Sequence, residues 1–274
     1  MSAVSTAAGA AGAAGATAGG LSLEVRHGPR HWLGSYVAML RFDLAAQRTW
    51  LPMFLVMQVM FGTGMAIIYG FYIGHMPVSA ALFIVSGAPA LAVITTGMVG
   101  VPTMVGERKM SGSWDFIWSL PVPRSASVAS TFTVYTVLTI PGIVVTLLFA
   151  SWRYGLHLHP NPSVVPAFVL ASLMATSVGF GMAQAIRSPF VTNVIVNVLI
   201  FVVLLFSPVV FPISQLPGWL AEVHRILPIY HLAQVLRASV TTGLVSGLAL
   251  SYAVLIAWTV AGWAAAAWVI GRRH

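Results

Sequence analysis

Cysteine is absent from the chain and charge is scarce. There are 13 Lys and Arg and 5 Asp and Glu in 274 residues, or 7%, against roughly 25% in a soluble domain. With no cysteine no disulfide can form, and the redox compartment is not readable. The shortage of charge excludes a large soluble domain. Lysine occurs once, as Lys109, and Arg108 rather than glycine precedes it. That rules out a phosphate-binding G-x-x-x-x-G-K-[ST] loop, and with it an ATPase of that kind within the chain. G-x-S-x-G and H-E-x-x-H are missing as well, and Asp43 and Asp115 stand outside the apolar runs, which argues against an intramembrane hydrolase. No catalytic or metal-binding set is expected. His157 and His159, two apart without carboxylates, read as ordinary interfacial residues.

What is present is apolar: 58% hydrophobic residues and a mean hydropathy of +0.91. Six runs, at 51–73, 79–103, 127–150, 164–185, 191–211 and 247–270, contain no Asp, Glu, Lys or Arg. Each has about the twenty residues that a helix needs to cross the hydrocarbon. Pro89, Pro141, Gly179 and Gly181 inside them are tolerated in membrane helices and mark kinks or close packing. The fold class expected is therefore all-α: a polytopic membrane protein of six transmembrane helices. Residues 1–20 are Ala, Gly, Ser and Thr with little to bury and no basic start, so 1–30 reads as a disordered tail rather than a signal peptide. Across 31–48, Trp32, Leu33, Tyr36, Val37, Leu40 and Leu44 follow helical spacing, with Arg41, Gln47 and Arg48 on the other side. This predicts an amphipathic helix lying in the interface.

The net charge of +8 sits at the edges of the apolar runs, which fits membrane topology better than nucleic acid. With the N-terminus inside, ten Arg and Lys fall on the inner side and three (Arg153, Arg225, Arg237) on the outer. Both termini are expected in the cytoplasm, and the protein in the cell inner (plasma) membrane.

Five of the eighteen charged residues lie within 107–124, E-R-K-M-S-G-S-W-D-F-I-W-S-L-P-V-P-R. A charged island between two spans must sit in water at a membrane surface. Ser113 is placed to cap a short helix, Asp115 favours its positive end, and Pro121 and Pro123 stop it. Trp114, Ile117 and Trp118 then share a face. Two tryptophans resting at the lipid interface and an aromatic knob in a partner's groove, with Glu107 and Arg108 pairing at its rim, fit this spacing equally. With no acid inside the spans, ion coupling has no obvious site, so energy is expected to enter through this island.

The final loop, 212–246, is long and rather apolar. Trp219, Leu220, Val223, Ile226 and Leu227 form one stripe. Tyr230, Ala233, Leu236 and Val240 form another, opposite Gln234, Arg237 and Thr241. Two short re-entrant helices and two helices lying flat both fit. The first would make an outer gate carrying Trp219, Glu222, Arg225 and Tyr230, with Glu222 and Arg225 paired at i, i+3 on the exposed side.

The E-R-K-x-S-G segment ending in L-P-V-P-R, the stretch S-P-V-V-F-P-I-S-Q-L-P-G-W-L at 207–220, and L-P-I-Y-H at 227–231 together resemble the membrane permease subunits of type-2 ABC (ATP-binding cassette) exporters. The likeness runs over nearly the whole chain after the tail. It implies a coupling segment at 104–124 containing Glu107, Arg108, Trp114, Ile117 and Trp118. It also implies an amphipathic helix before the first span and outer re-entrant helices at 212–246. The partners implied are a second permease copy or homologue and a pair of separate cytoplasmic ATPase subunits, which would hold the ATP and magnesium; this chain would hold no cofactor. Ser-Trp-Asp-Phe after Gly112 is more aromatic than the commoner pattern, so the partner's groove is expected to differ in shape. Met53, Met57, Met60, Phe54, Phe61 and Phe71 suit an apolar or amphipathic cargo such as a drug, lipid or glycan-lipid, and suit lipid-facing packing equally. The alternatives are a membrane-embedded lipid-processing enzyme and an ion-coupled secondary transporter.

Overall fold

The computed structural model describes residues 28–49, 51–73, 78–155, 158–209 and 211–271. Residues 1–27 of the tail expected over 1–30 and His157 lie outside them, and Pro29 and Arg30 already belong to the first helix. Among the described residues the fold is helical throughout, with no strand. The chain opens with α1 (Pro29–Gln47) and α2 (Leu51–Ile73), followed by α3 (Val78–Ile94), a π-helical turn (Thr95–Gly100) and α4 (Val101–Met110). A short α5 (Ser113–Ser119) leads into α6 (Arg124–Tyr154), α7 (Val164–Ala185) and α8 (Pro189–Phe206). A 3-10 turn (Ile213–Gln215), α9 (Gly218–Ile226), α10 (Pro228–Val240) and α11 (Leu248–Gly271) complete it. Five of these helical stretches are long and apolar enough to cross a membrane. The remaining expected span coincides with α2.

Two spans overrun their expected lengths. The stretch expected over 79–103 continues as unbroken helix to Met110, so the charged residues Glu107, Arg108 and Lys109 ride its last turn rather than a loop. Helix α6 has 31 residues, about 46 Å at 1.5 Å per residue, and stands proud of a hydrocarbon layer about 30 Å thick. Conversely, α8 stops at Phe206, five positions short of expectation, because Ser207 turns extended ahead of Pro208. Pro208 and Val209 belong to a turn, not a span.

Small residues let the bundle close. A Cβ on Gly262 of α11 would come within 2.7 Å of the Ser177 backbone on α7, so these helices touch backbone to backbone, as small-residue membrane interfaces do. The π-turn is pinned in the same way: a Cβ on Gly179 of α7 would lie 2.1 Å from the Gly97 carbonyl. Within the turn, Thr95 and Thr96 donate their hydroxyls to the carbonyls of Leu91 and Ala92, at 2.7 and 2.9 Å. Carbonyls displaced from the ordinary i→i+4 ladder need such donors.

Helix α1 packs on α6 with its polar side inward. Its buried residues are Ser35, Met39, Asp43 and Gln47, four apart on one stripe. The apolar residues Trp32, Leu33, Val37 and Leu44 face outward. This corrects the expectation that Gln47 stays on the free side with the arginines. For a helix at a membrane surface, lipid accepts the apolar face and the protein takes the polar one.

Candidate functional site: a charged corner, an apolar cavity and a buried arginine

The three consecutive charges at the end of α4 point in three directions. Arg108 meets Asp43 of α1 at 2.8 Å, and Asp43 also accepts from Ser130 Oγ of α6 at 2.6 Å and Thr131 Oγ1 at 3.4 Å. This ion pair is buried, with Asp43 1% exposed. It ties α1, α4 and α6 together. Lys109 Nζ donates to the carbonyls of Ala183 and Ile186 where α7 ends, a favourable place for a cation because those carbonyls carry the negative end of the helix dipole. Glu107 is exposed and is among the residues that line a cavity. Arg108 is therefore engaged within the chain and not at a free rim.

Beyond Met110 the chain reverses at Gly112, whose φ of +73° lies in the left-handed region. Gly112, not Ser113, is the N-cap of α5; the turn comes one residue earlier than expected, and Ser113 is already helical, its hydroxyl 2.9 Å from that of Ser111. Asp115 occupies the first turn of α5 as expected. Ile117 is buried, and Trp114 packs against α7, 6.3 Å from the Phe180 ring. Trp118 lies 5.4 Å from Trp114, with the Arg124 guanidinium 5.1 Å over its ring. The Trp114, Ile117 and Trp118 face is thus turned onto the chain's own helices. Phe116, 57% exposed, is the large apolar side chain that α5 presents outward.

Next to this corner lies a cavity of about 620 Å³. Met53, Phe54 and Met60 of α2, Val99 and Gly100 of the π-turn, Leu138 of α6 and Ile200 of α8 supply an apolar wall. Gln47, Gln58, Thr95, Thr103, Tyr135 and Glu107 are its polar residues. Gln58 Nε2 donates to Thr96 at 2.6 Å, fixing α2 to the π-turn, and Gln47 Nε2 donates to the Tyr135 hydroxyl at 3.3 Å. Phe71, counted with the same aromatics in the sequence, faces outward at 78% exposure. Met57 and Phe61 lie outside the described side chains.

At the far end, α10 is buried around most of its circumference. Arg237, expected on its free side, is fully buried. Its Nη2 donates to the carbonyls of Val209 at 2.6 Å and Phe83 at 3.3 Å, and its guanidinium stacks 3.5 Å from the Phe83 ring. The α9–α10 corner is fastened by His231 and Trp258. The Arg225 carbonyl only accepts, so His231 Nε2 carries the proton and donates to it at 2.7 Å, leaving Nδ1 to accept from Ser251 at 3.0 Å. Trp258 Nε1 donates to the Ile226 carbonyl at 3.0 Å. Glu222 and Arg225 pair on the exposed side of α9 at 2.5 Å, as expected. The α9 stripe is not buried, however: Trp219 and Ile226 are each 71% exposed, and the buried side chain is His224, whose pKa burial lowers. Tyr230 is partly buried at the start of α10.

Sequence reasoning passed over Asp43, Gln58, Tyr135 and Arg237. Of these only Asp43 carried a signal, the i, i+4 series Ser35, Met39, Asp43 and Gln47.

The family model for ABC-2 family transporter protein matches residues 75–268, from the start of α3 to near the end of α11. No curated protein matches the chain. The matched region holds the charged corner apart from Asp43, most of the cavity wall and the α9–α10 segment, and the chain belongs to the ABC-2 transporter family, as a membrane permease subunit of an ABC transporter.

Proposed function

We propose that the chain is the membrane-spanning subunit of an ATP-driven exporter of apolar or amphipathic compounds. It pairs with a second permease copy and is driven by two cytoplasmic ATPase subunits that hold the ATP and magnesium. The observation that carries this reading is the charged corner. A short helix at the end of a long span is seated on the bundle by Trp114, Ile117 and Trp118 and linked through Arg108 and Asp43 to α1 and α6. A push on α5 reaches α4, α7 and α1 through packed contacts, and α4 and α1 also contribute Thr103, Met104, Glu107 and Gln47 to the wall of the apolar cavity. Ten Arg and Lys against three support a cytoplasmic position for this corner and for both termini. On the outer side Trp219, Glu222, Arg225 and Tyr230 form the gate.

The test uses the absence of native cysteine. A cysteine at Phe116 in the permease, co-expressed with its ATPase, should cross-link to the ATPase subunit, and one at Trp219 should not. Trp118→Ala, which loosens the seat of α5, should lower transport while the partner still hydrolyses ATP. Absence of the Phe116 cross-link together with full transport by Trp118→Ala would remove α5 from the mechanism.

A further inference from the structure

Glu107 is the single acid in the wall of the cavity. Its neighbours in sequence are committed elsewhere, Arg108 to Asp43 and Lys109 to the α7 carbonyls. No hydrogen bond or ion pair engages the Glu107 carboxylate among the described residues. The rest of the wall is apolar apart from a few amide and hydroxyl atoms, and it includes the Phe54 and Tyr135 rings and the thioethers of Met53, Met60 and Met104. The volume of about 620 Å³ falls within the ~300–1,000 Å³ typical of sites for drug-sized molecules.

Charge decides between possible occupants. An anion filling the cavity would be repelled by Glu107. A neutral body offers the exposed carboxylate no partner in place of whatever water it displaces. A cation replaces that water with an ion pair, and aromatic faces add to the attraction. We propose that this cavity binds lipophilic monovalent cations, with an aromatic or aliphatic body in the apolar wall and the positive head at Glu107. The proposal names the cargo class of the exporter described above and rests on that reading for transport, but not for binding. Methionine side chains, flexible and polarizable, let the same wall fit bodies of differing shape.

Binding can be measured on the full-length permease in zwitterionic nanodiscs by equilibrium dialysis, with tetraphenylphosphonium as probe and tetraphenylborate as its anion of like shape. Saturable phosphonium binding is expected. Glu107→Gln should weaken it by about tenfold or more, since an ion pair at reduced dielectric is worth at least that factor, and should leave the borate no weaker. Thr103→Phe, one turn before Glu107 on the cavity wall, fills space while keeping the carboxylate in the chain and should also abolish saturable phosphonium binding. The proposal is overturned by any of three results: no saturable phosphonium binding, as a cavity filled by lipid or by the second copy would give; equal affinity in Glu107→Gln; or binding that survives Thr103→Phe. No ATPase is present in this measurement. A permease that binds the cation but exports nothing with its partner therefore sinks only the exporter reading. An exporter whose permease ignores the phosphonium sinks only this inference.

Discussion

Asp43 and Arg108 are buried together, and burial makes such a pair worth little as a unit and costly to break. Desolvation offsets most of the attraction between the charges, whereas one charge left alone inside costs about 3–5 kcal/mol. Arg108→Met should therefore lower the unfolding midpoint of the detergent-solubilised protein sharply. The double variant Asp43→Leu with Arg108→Met should recover most of the loss, because neither charge is then stranded. Intrinsic tryptophan fluorescence against temperature reads this directly, since Trp114 and Trp118 pack nearby on the same corner. Should the double variant melt as low as Arg108→Met, the two residues would not be acting as a pair. Arg237 differs in kind. It faces backbone carbonyls rather than a carboxylate, so no single second substitution restores what its loss removes.

Among the elements, α9 makes the most specific demand. Glu222 and Arg225 face outward on one side, Trp219, Val223 and Ile226 are exposed on another, and His224 points into the bundle. Single cysteines scanned from 219 to 227 should react with a water-soluble maleimide most strongly at Glu222 and Arg225 and least at His224. In the outer-gate reading, labelling should also change when the partner ATPase is trapped with nucleotide. Uniform labelling along the helix, indifferent to nucleotide, would mean a solvated loop. The sequence told more about the helices themselves than about which way they turn. Long apolar runs mark spans because hydrocarbon admits little else, and 164–185 appears as α7 without a residue's difference. The last turn of α4 was hidden because Glu107, Arg108 and Lys109 end the apolar run without ending the helix. Orientation was hidden for a different reason. Helical spacing separates a polar from an apolar face, but in a membrane protein the polar face can be the inward one, as it is for Ser35, Met39, Asp43 and Gln47. Arg237 was misplaced by the same assumption. Of the cavity only Met53, Phe54 and Met60 were legible, as residues suited to an apolar cargo; Gln58, Val99, Leu138 and Ile200 join them only through packing of distant segments.

For the molecule as a whole, the distribution of arginine sets the orientation to be tested. Positive residues hold to the cytoplasmic side during insertion, so a cysteine at Ser111, exposed at the turn between α4 and α5, should be unreachable by an impermeant reagent in intact cells and reactive once the membrane is opened. Labelling from outside would invert the topology and with it the site proposed for the ATPase. The buried guanidinium of Arg237 also bears on how the chain is made. A ribosome delivers residues in order, and a helix carrying an arginine enters a membrane poorly on its own. The carbonyls that receive this one, at Phe83 and Val209, are both synthesised before it, so α10 emerges to find its acceptors waiting. The fastenings of the adjoining corner come later: Ser251 for His231, and Trp258 for the Ile226 carbonyl, both on α11. A chain stalled before Leu248 can seat the arginine but cannot lock the turn beside it, which waits for α11.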